Sequence, residues 1–240
     1  MRGFQIAFIF FTVISGCTKK AASIPTVAGS TTVNTTTMTD SLTYLALGDS
    51  YTIGEAVPQN QSFPYQLSHA LVADGLPVMH PVIIATTGWT ADNLISAISA
   101  SGITNKKFDF VTLLIGVNDQ FQGLSQSNYR VKFIQLLNTA ISFAKGDPTR
   151  VFVLSIPDYG VTPFAGGNDA SIGPQIDQFN AINKAETLRA GVPYVDITDI
   201  SRQAATDLTL IAPDGLHPSG KMYGLWIQRL EPLVSVRLKK

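Results

Sequence analysis

The sequence has little charge and no excess of either sign. Only 14% of its 240 residues are charged, and 17 Lys and Arg balance 17 Asp and Glu. It also lacks a basic stripe with interleaved aromatic residues, the pattern that marks nucleic-acid-binding proteins. We therefore expect no nucleic-acid partner. The length, with 45% hydrophobic residues, is enough for one domain with a full core.

Cysteine is almost absent, and the one cysteine lies close to the N-terminus. An apolar stretch from Phe4 to Ile14 follows the basic Arg2. It is too short to span a bilayer and is typical of a signal peptide. The segment Ile14-Ser15-Gly16-Cys17 resembles the bacterial lipobox, in which the cysteine is lipidated and becomes the first mature residue. The alternative is an ordinary secretory signal with an incidental cysteine.

We therefore expect residues 1–17 to be a lipoprotein signal peptide, with the lipid anchor on Cys17. This places the protein in the bacterial cell envelope, on the outer membrane or the cell surface. Lipidation would leave the mature chain without a free thiol, which excludes disulfides, cysteine-ligated metals and cysteine nucleophiles. Removing residues 1–17 leaves 16 basic and 17 acidic side chains. The acyl chains, and not a polybasic patch, would therefore attach the protein to the membrane.

Residues 18–40 are rich in Thr, Ser and Ala and show no sustained apolar period. This composition predicts a flexible tether with a root-mean-square span of roughly 26 Å. Residues 41–240 are expected to form the folded domain.

In residues 41–240, short apolar runs alternate with segments of helical spacing. The runs predict buried strands at Leu42–Leu47, Val78–Ala85, Phe110–Ile115, Val151–Ile156 and Tyr194–Ile197. The other segments predict helices over residues 61–74, 90–101, 126–145, 176–190 and 219–237, with Gly75 and Gly191 where helix C-caps belong. This alternation predicts a three-layer α/β/α sandwich with a five-stranded parallel sheet. Functional groups should then gather at the carboxyl ends of the strands.

A serine follows the first predicted strand, in Gly48-Asp49-Ser50. Taken alone, Ser50 could simply be a helix N-cap. As a nucleophile it would need a base, and the sequence holds three histidines. His69 and His80 have no acid nearby and are expected to be structural.

His217 differs from the other two histidines, because an acid lies three residues before it. It sits in Pro213-Asp214-Gly215-Leu216-His217-Pro218, where Asp214 can bond the imidazole Nδ1–H and leave Nε2 free to take a proton. The alternative is an Asp-Gly turn beside a surface histidine.

Two further segments follow predicted strands. Gly116-Val117-Asn118-Asp119 follows the third strand, and an Asn there could donate its amide to a developing oxyanion. Gly88 follows the second strand, where glycine would let the backbone N–H approach an oxygen closely. Each segment alone is also compatible with an ordinary loop.

Together these motifs resemble the SGNH hydrolases, also called the GDSL esterase/lipase family. The resemblance spans residues 48–218. It implies a flavodoxin-like sandwich, with Ser50 as nucleophile, His217 as base and Asp214 as the acid that orients it. It also implies an oxyanion hole formed by the Ser50 N–H, the Gly88 N–H and the Asn118 side chain. One departure is Tyr51, where the motif has Leu; we expect this residue to face away from the nucleophile and to leave the reaction class unchanged.

The resemblance implies a serine esterase that needs no metal or organic cofactor. Asp109, Asp119, Asp158 and Asp169 are scattered and lack the spacing of a metal site. We expect a small ester substrate, either a short-acyl ester or an acetylated carbohydrate, because no long apolar lid segment is present. The alternatives are a lysophospholipase or thioesterase of the same family, or a non-catalytic surface-binding lipoprotein on the same fold. A flavodoxin-like cofactor binder is disfavoured because Asp49 and Glu55 put negative charge where a phosphate would bind.

The substrate pocket should be bordered by residues that follow strands two to four. These are Trp89, Phe121 and the loop Pro157–Pro174, which contains Tyr159 and could be a lid or a solvated connection. The sequence gives no indication of the oligomeric state.

Overall fold

The computed structural model describes residues 41–240. The predicted signal peptide, the lipidated Cys17 and the tether over residues 18–40 lie outside the described residues. Within the described part, none of the helices is both long and apolar enough to cross a membrane.

The described residues contain one five-stranded sheet in which every strand pair is parallel. The strand order is β2-β1-β3-β4-β5, the flavodoxin-like order. The strands are β1 (Tyr44–Gly48), β2 (Val82–Ala85), β3 (Phe110–Leu114), β4 (Val151–Leu154) and β5 (Tyr194–Val195). The predicted fold class is therefore confirmed.

The three central strands are buried along their whole length, which explains why their sequences are apolar without alternation. The second strand is shorter than predicted. It begins at Val82 and not at Val78, because Pro81 has no N–H to donate to the ladder. Val78 makes only an isolated parallel bridge to Leu42.

Helices cover both faces of the sheet. In one layer α3, α5 and α6 pack side by side, and α2 packs along α8 in the other. The bounds are α1 (Ser50–Ile53), α2 (Phe63–Ala73), α3 (Ala91–Ala100), α4 (Val117–Phe121), α5 (Gln126–Phe143), α6 (Asp169–Arg189), α7 (Thr198–Arg202) and α8 (Gly220–Leu238). Gly75 and Gly191 follow α2 and α6 with φ of 82° and 71°, as predicted for C-caps.

The sixth helix begins seven residues earlier than predicted, at Asp169. Pro174 lies inside this helix and does not close the preceding loop. A proline this close to a helix start removes only one hydrogen bond of the helix, which the rest of α6 tolerates. The connection after β4 is therefore shorter than the sequence suggested.

Strand register determines where the site lies. Gly48 at the end of β1 pairs with Ala85 of β2 on one side and with Leu114 of β3 on the other. The three strands therefore end at the same level. The strand order reverses between β1 and β3, because β2 lies on one side of β1 and all later strands lie on the other. Ligands bind at such a switch point in open α/β sheets.

Candidate active site

A cleft of about 140 Å³ opens at the carboxyl ends of β1 and β3. It brings together four residues that the sequence analysis selected from four separate segments: Ser50, Gly88, Asn118 and His217. The remaining lining residues are Tyr51, Thr87, Val117, Phe121, Tyr159, Phe164 and Leu216. The walls are mostly apolar, and no lysine, arginine or carboxylate lines the cleft.

Ser50 is the first residue of the short helix α1. The N-cap of this helix is Asp49, whose Oδ1 accepts from the Tyr51 N–H at 3.0 Å. Ser50 is therefore not the capping residue, and its hydroxyl is not used to begin the helix. Gly54 ends α1 in the left-handed conformation, with its N–H bonded to the Ser50 carbonyl at 3.1 Å.

Close packing beneath Ser50 explains the glycine at position 48. A Cβ there would overlap the Thr52 hydroxyl and the Leu114 carbonyl oxygen. Only glycine lets β1 lie this close to β3 while the chain turns into α1. Ser50 is consequently held at the sheet edge with 5% of its surface exposed.

The predicted Asp-x-x-His pair is formed. His217 Nδ1 lies 2.6 Å from Asp214 Oδ2, and Asp214 Oδ1 accepts from the backbone N–H groups of Leu216 and His217, each at 3.0 Å. Partial burial raises the pKa of Asp214. The hydrogen bonds from the His217 ring and from these two backbone groups outweigh that effect and leave the pKa below its usual value.

An ionised Asp214 holds the Nδ1 proton of His217 in place and leaves Nε2 to accept another. Ser50 and His217 face the same cleft, but within the described part of the chain no hydrogen bond joins the Ser50 hydroxyl to the imidazole. Such contacts often tighten only when substrate binds. The arrangement can therefore support general-base activation of a serine.

Asn118 lies at the start of α4, directly after β3. Its Nδ2 donates to the Trp89 carbonyl oxygen at 3.0 Å, which fixes the amide and leaves its second N–H for a ligand. The preceding Gly116 has φ of 127°, and a Cβ there would overlap the Tyr129 hydroxyl. Glycine is required at this position both by conformation and by space.

Gly88 lines the cleft, and its backbone conformation requires glycine. A Cβ at this position would meet no atom of the described residues within 4 Å, but the φ of 81° lies in a region where a side chain is strained. The left-handed conformation at residue 88 is what gives the turn its shape.

The predicted pocket residues divide into two groups. Phe121 and Tyr159 line the cleft as predicted. The side chain of Trp89 does not line the cleft; it is half-buried and packs against the hydrophobic core. Its backbone carbonyl contributes to the site by accepting the hydrogen bond from Asn118. His69 and His80 lie on the exposed surface outside the cleft, and His80 packs against the ring of Tyr65.

Tyr51 lines the cleft and does not face away from the nucleophile, so the prediction from sequence is wrong at this position. Its ring meets the His217 ring edge-on with centroids 5.7 Å apart. Burial raises the pKa of Tyr51 well above its ordinary range, so the phenol stays neutral. The Tyr223 hydroxyl donates to the Tyr51 carbonyl at 3.0 Å. The residue therefore supports the imidazole from the side of α8.

The connection between β4 and α6 forms the far wall of the cleft. Its buried Asp158 pairs with Arg202 at 2.9 Å and accepts from the Gly160 N–H at 2.8 Å. Farther along, the Phe164 N–H donates to the Gly215 carbonyl at 3.0 Å. The loop is thus joined to the turn that carries Asp214 and His217. Phe164 itself was missed by sequence reasoning, although it lies within the loop expected to border the site.

Two buried carboxyl groups lie beside the nucleophile and the Asn118 amide. Burial raises the pKa of Asp49 to about 8, and the charge of Asp119 adds to the effect. Burial also raises the pKa of Asp119 to about 6, and its Oδ2 accepts from the Ala91 N–H at 2.9 Å, at the start of α3. Residues 41–240 hold no group of three or more His, Cys, Asp or Glu suited to bind a metal.

A family model described as the GDSL-like lipase/acylhydrolase family matches residues 46–225. The chain belongs to this family. As a member, it is a serine hydrolase that acts on ester bonds. The match covers Ser50, Gly88, Asn118, Asp214 and His217.

Solved structures of ester-cleaving enzymes share the fold at low sequence identity. A lipase/acylhydrolase from Enterococcus faecalis is 18% identical with a TM-score of 0.63, over 82% of this chain and 96% of that one. The acetylxylan esterase Axe2 from Geobacillus stearothermophilus is 17% identical with a TM-score of 0.63, over 80% and 94%. The psychrotrophic esterase EstA from Pseudoalteromonas sp., in a structure inhibited by monoethylphosphonate, is 16% identical with a TM-score of 0.62, over 83% and 100%. No curated protein matches this chain in sequence.

The raised pKa of Asp49 predicts a pH dependence of stability. Between pH 3.8 and about 8 the folded protein keeps a proton that the unfolded chain releases, so the free energy of unfolding falls as pH rises through this window. Asp49→Asn cannot titrate and should lose this decline. The melting temperature of Asp49→Asn minus that of wild type should increase by at least about 3 °C from pH 5 to pH 9, because one unit of pKa shift is worth about 1.4 kcal/mol of stability.

Asp207→Asn is the matched control for this melting series. The carboxylate of Asp207 is exposed, and hydrogen bonds from Lys221 and Thr209 lower its pKa, so it is ionised throughout the tested range. The melting-temperature difference of this variant from wild type should stay constant from pH 5 to pH 9. Parallel pH curves for wild type and Asp49→Asn would show that Asp49 is already ionised in the folded protein.

Proposed function

We propose that this protein hydrolyses small carboxylic esters through a Ser50–His217–Asp214 triad. One observation carries the proposal: an imidazole oriented by a carboxylate at 2.6 Å shares one small cleft with Ser50 and the Asn118 amide. These are the groups that acyl transfer needs, namely a nucleophile, an oriented base and a donor for the oxyanion.

In the proposed reaction, His217 Nε2 takes the Ser50 proton while the hydroxyl oxygen attacks the ester carbonyl. The backbone N–H groups of Ser50 and Gly88 and the free N–H of Asn118 stabilise the tetrahedral oxyanion. His217 then gives its proton to the departing alcohol, which leaves an acyl group on Ser50. Water, activated by the same imidazole, hydrolyses this acyl-enzyme and restores the serine.

The small size of the cleft supports a short acyl group. A volume of about 140 Å³ is below the range of roughly 300–1,000 Å³ in which drug-sized ligands bind. Long acyl chains would therefore extend into solvent. Acetylated carbohydrates suit such a cleft, and one of the similar structures is an acetylxylan esterase. Lysophospholipid or thioester cleavage is the competing assignment within the family.

An acyl-length series tests this assignment. For p-nitrophenyl esters from acetate to palmitate, kcat/KM should be greatest for acetate or propionate and should fall with longer chains. Ser50→Ala should be inactive, and Asn118→Ala should lower kcat about 10²–10³-fold. Asn105→Ala, which removes an exposed loop amide, is the control and should behave as wild type.

Two outcomes of the series would contradict the proposal in different ways. A kcat/KM that rises steadily with chain length would indicate a lipase or lysophospholipase. A folded protein that cleaves none of the esters would indicate a non-catalytic, surface-binding role for the same fold.

We also propose that the enzyme is anchored in the cell envelope through lipid on Cys17, with residues 18–40 as tether. The lipobox-like segment before Cys17 supports this assignment. Mass spectrometry of the native N-terminus should find cleavage before Cys17 and acyl chains on that residue, and Cys17→Ala should leave the membrane fraction. An uncleaved chain with an unmodified thiol would refute the anchor.

A further inference from the structure

Two phenylalanines at the mouth of the cleft are exposed although aromatic rings normally gain from burial. Phe121 is 58% and Phe164 54% exposed. The other seven phenylalanines of residues 41–240 are buried, namely Phe63, Phe108, Phe110, Phe133, Phe143, Phe152 and Phe179. Exposed apolar surface beside a reactive cleft is a mark of ligand binding.

The two exposed rings form one surface. Their centroids lie 6.3 Å apart with the planes inclined at 45°. Phe121 also meets the buried Tyr159 ring edge-on at 6.0 Å, which supports it from below. These contacts hold the pair at the mouth of the cleft as a shallow apolar cradle.

The backbone connections show which half of an ester this cradle would meet. The Phe164 N–H is bonded to the Gly215 carbonyl, two residues before His217, and Leu216 of the same turn lines the cleft. During hydrolysis the alcohol oxygen must reach His217 to be protonated. The alcohol half of the ester therefore lies nearest the turn that Phe164 borders.

The charges around the cleft disfavour an anionic alcohol. The lining residues include no cationic side chain apart from a protonated His217. At the rim, Glu55 accepts a hydrogen bond from Thr87 and places negative charge beside the cleft. An anionic alcohol would be repelled there, and nothing in the cradle would neutralise it.

We propose that Phe121 and Phe164 form a subsite for the alcohol half of the ester. The subsite takes an alcohol without negative charge that carries a ring with a flat apolar face, either an aryl ring or the C–H face of a pyranose. This inference rests on the proposed esterase function, because only a departing alcohol has to approach His217.

Two isomeric esters test this assignment directly. Benzyl acetate carries a ring on the alcohol side, methyl phenylacetate carries the same ring on the acyl side, and methyl acetate carries none. Phe164→Ala should raise KM for benzyl acetate about fivefold or more, the scale of a lost aromatic contact, while kcat changes less than about twofold. KM for the other two esters should stay unchanged, and Phe164→Trp should retain the preference.

Phe121→Ala should show the same selective rise in KM. Leu188→Ala is the matched control, because it truncates an equally exposed apolar side chain of α6 that does not line the cleft. Monoacetylated methyl xyloside identifies the ring: a rise in its KM indicates a pyranose, and a rise confined to benzyl acetate indicates an aryl alcohol.

Other outcomes would overturn the subsite. A larger effect on methyl phenylacetate would assign the rings to the acyl half. Equal losses on all esters would mean that the substitution disturbs the His217 turn and removes no specific contact. Turnover of methyl acetate by wild type tests the esterase function separately, so a failed subsite can be distinguished from a failed function.

Discussion

The close contact between β1 and β3 at Gly48 is the constraint on which the rest of the site depends. Without a side chain at this position, β1 lies against the Leu114 carbonyl and ends level with β3. The segments that follow the two strands therefore leave the sheet at the same edge. Ser50 lies in the segment after β1, and Asn118 lies in the segment after β3. A larger residue at position 48 would move the nucleophile relative to its oxyanion donor.

The turn that carries Asp214 and His217 lies at the same edge of the sheet, although it comes from the other end of the chain. Asp214 holds three donors at once, the His217 ring and two backbone N–H groups, so the turn sets its own geometry. Contacts with the rest of the protein then place it. The Phe164 N–H binds it from the β4–α6 connection, and the Tyr51 ring packs against the imidazole. Residues outside the motifs therefore hold the base in position.

Much of this organisation could be predicted from the sequence, because it follows from local patterns. Buried parallel strands are apolar without alternation, and the Asp214–His217 pair lies within four residues. The errors have physical causes that local patterns miss. Pro81 shortens β2, α6 continues through Pro174, and the side chain of Trp89 turns into the core. The inward position of Tyr51 depends on contacts with α8, about 170 residues away in sequence, which no local pattern contains.

Covalent labelling of Ser50 is the most direct test of the account. A fluorophosphonate that reacts with activated serines, followed by peptide mapping of the natively folded protein, should place a single phosphonyl group on Ser50. The labelling should be lost in Ser50→Ala and should become very slow in His217→Ala, because the base activates the hydroxyl. A label on another residue, or an unlabelled Ser50 in protein that still cleaves esters, would contradict the account.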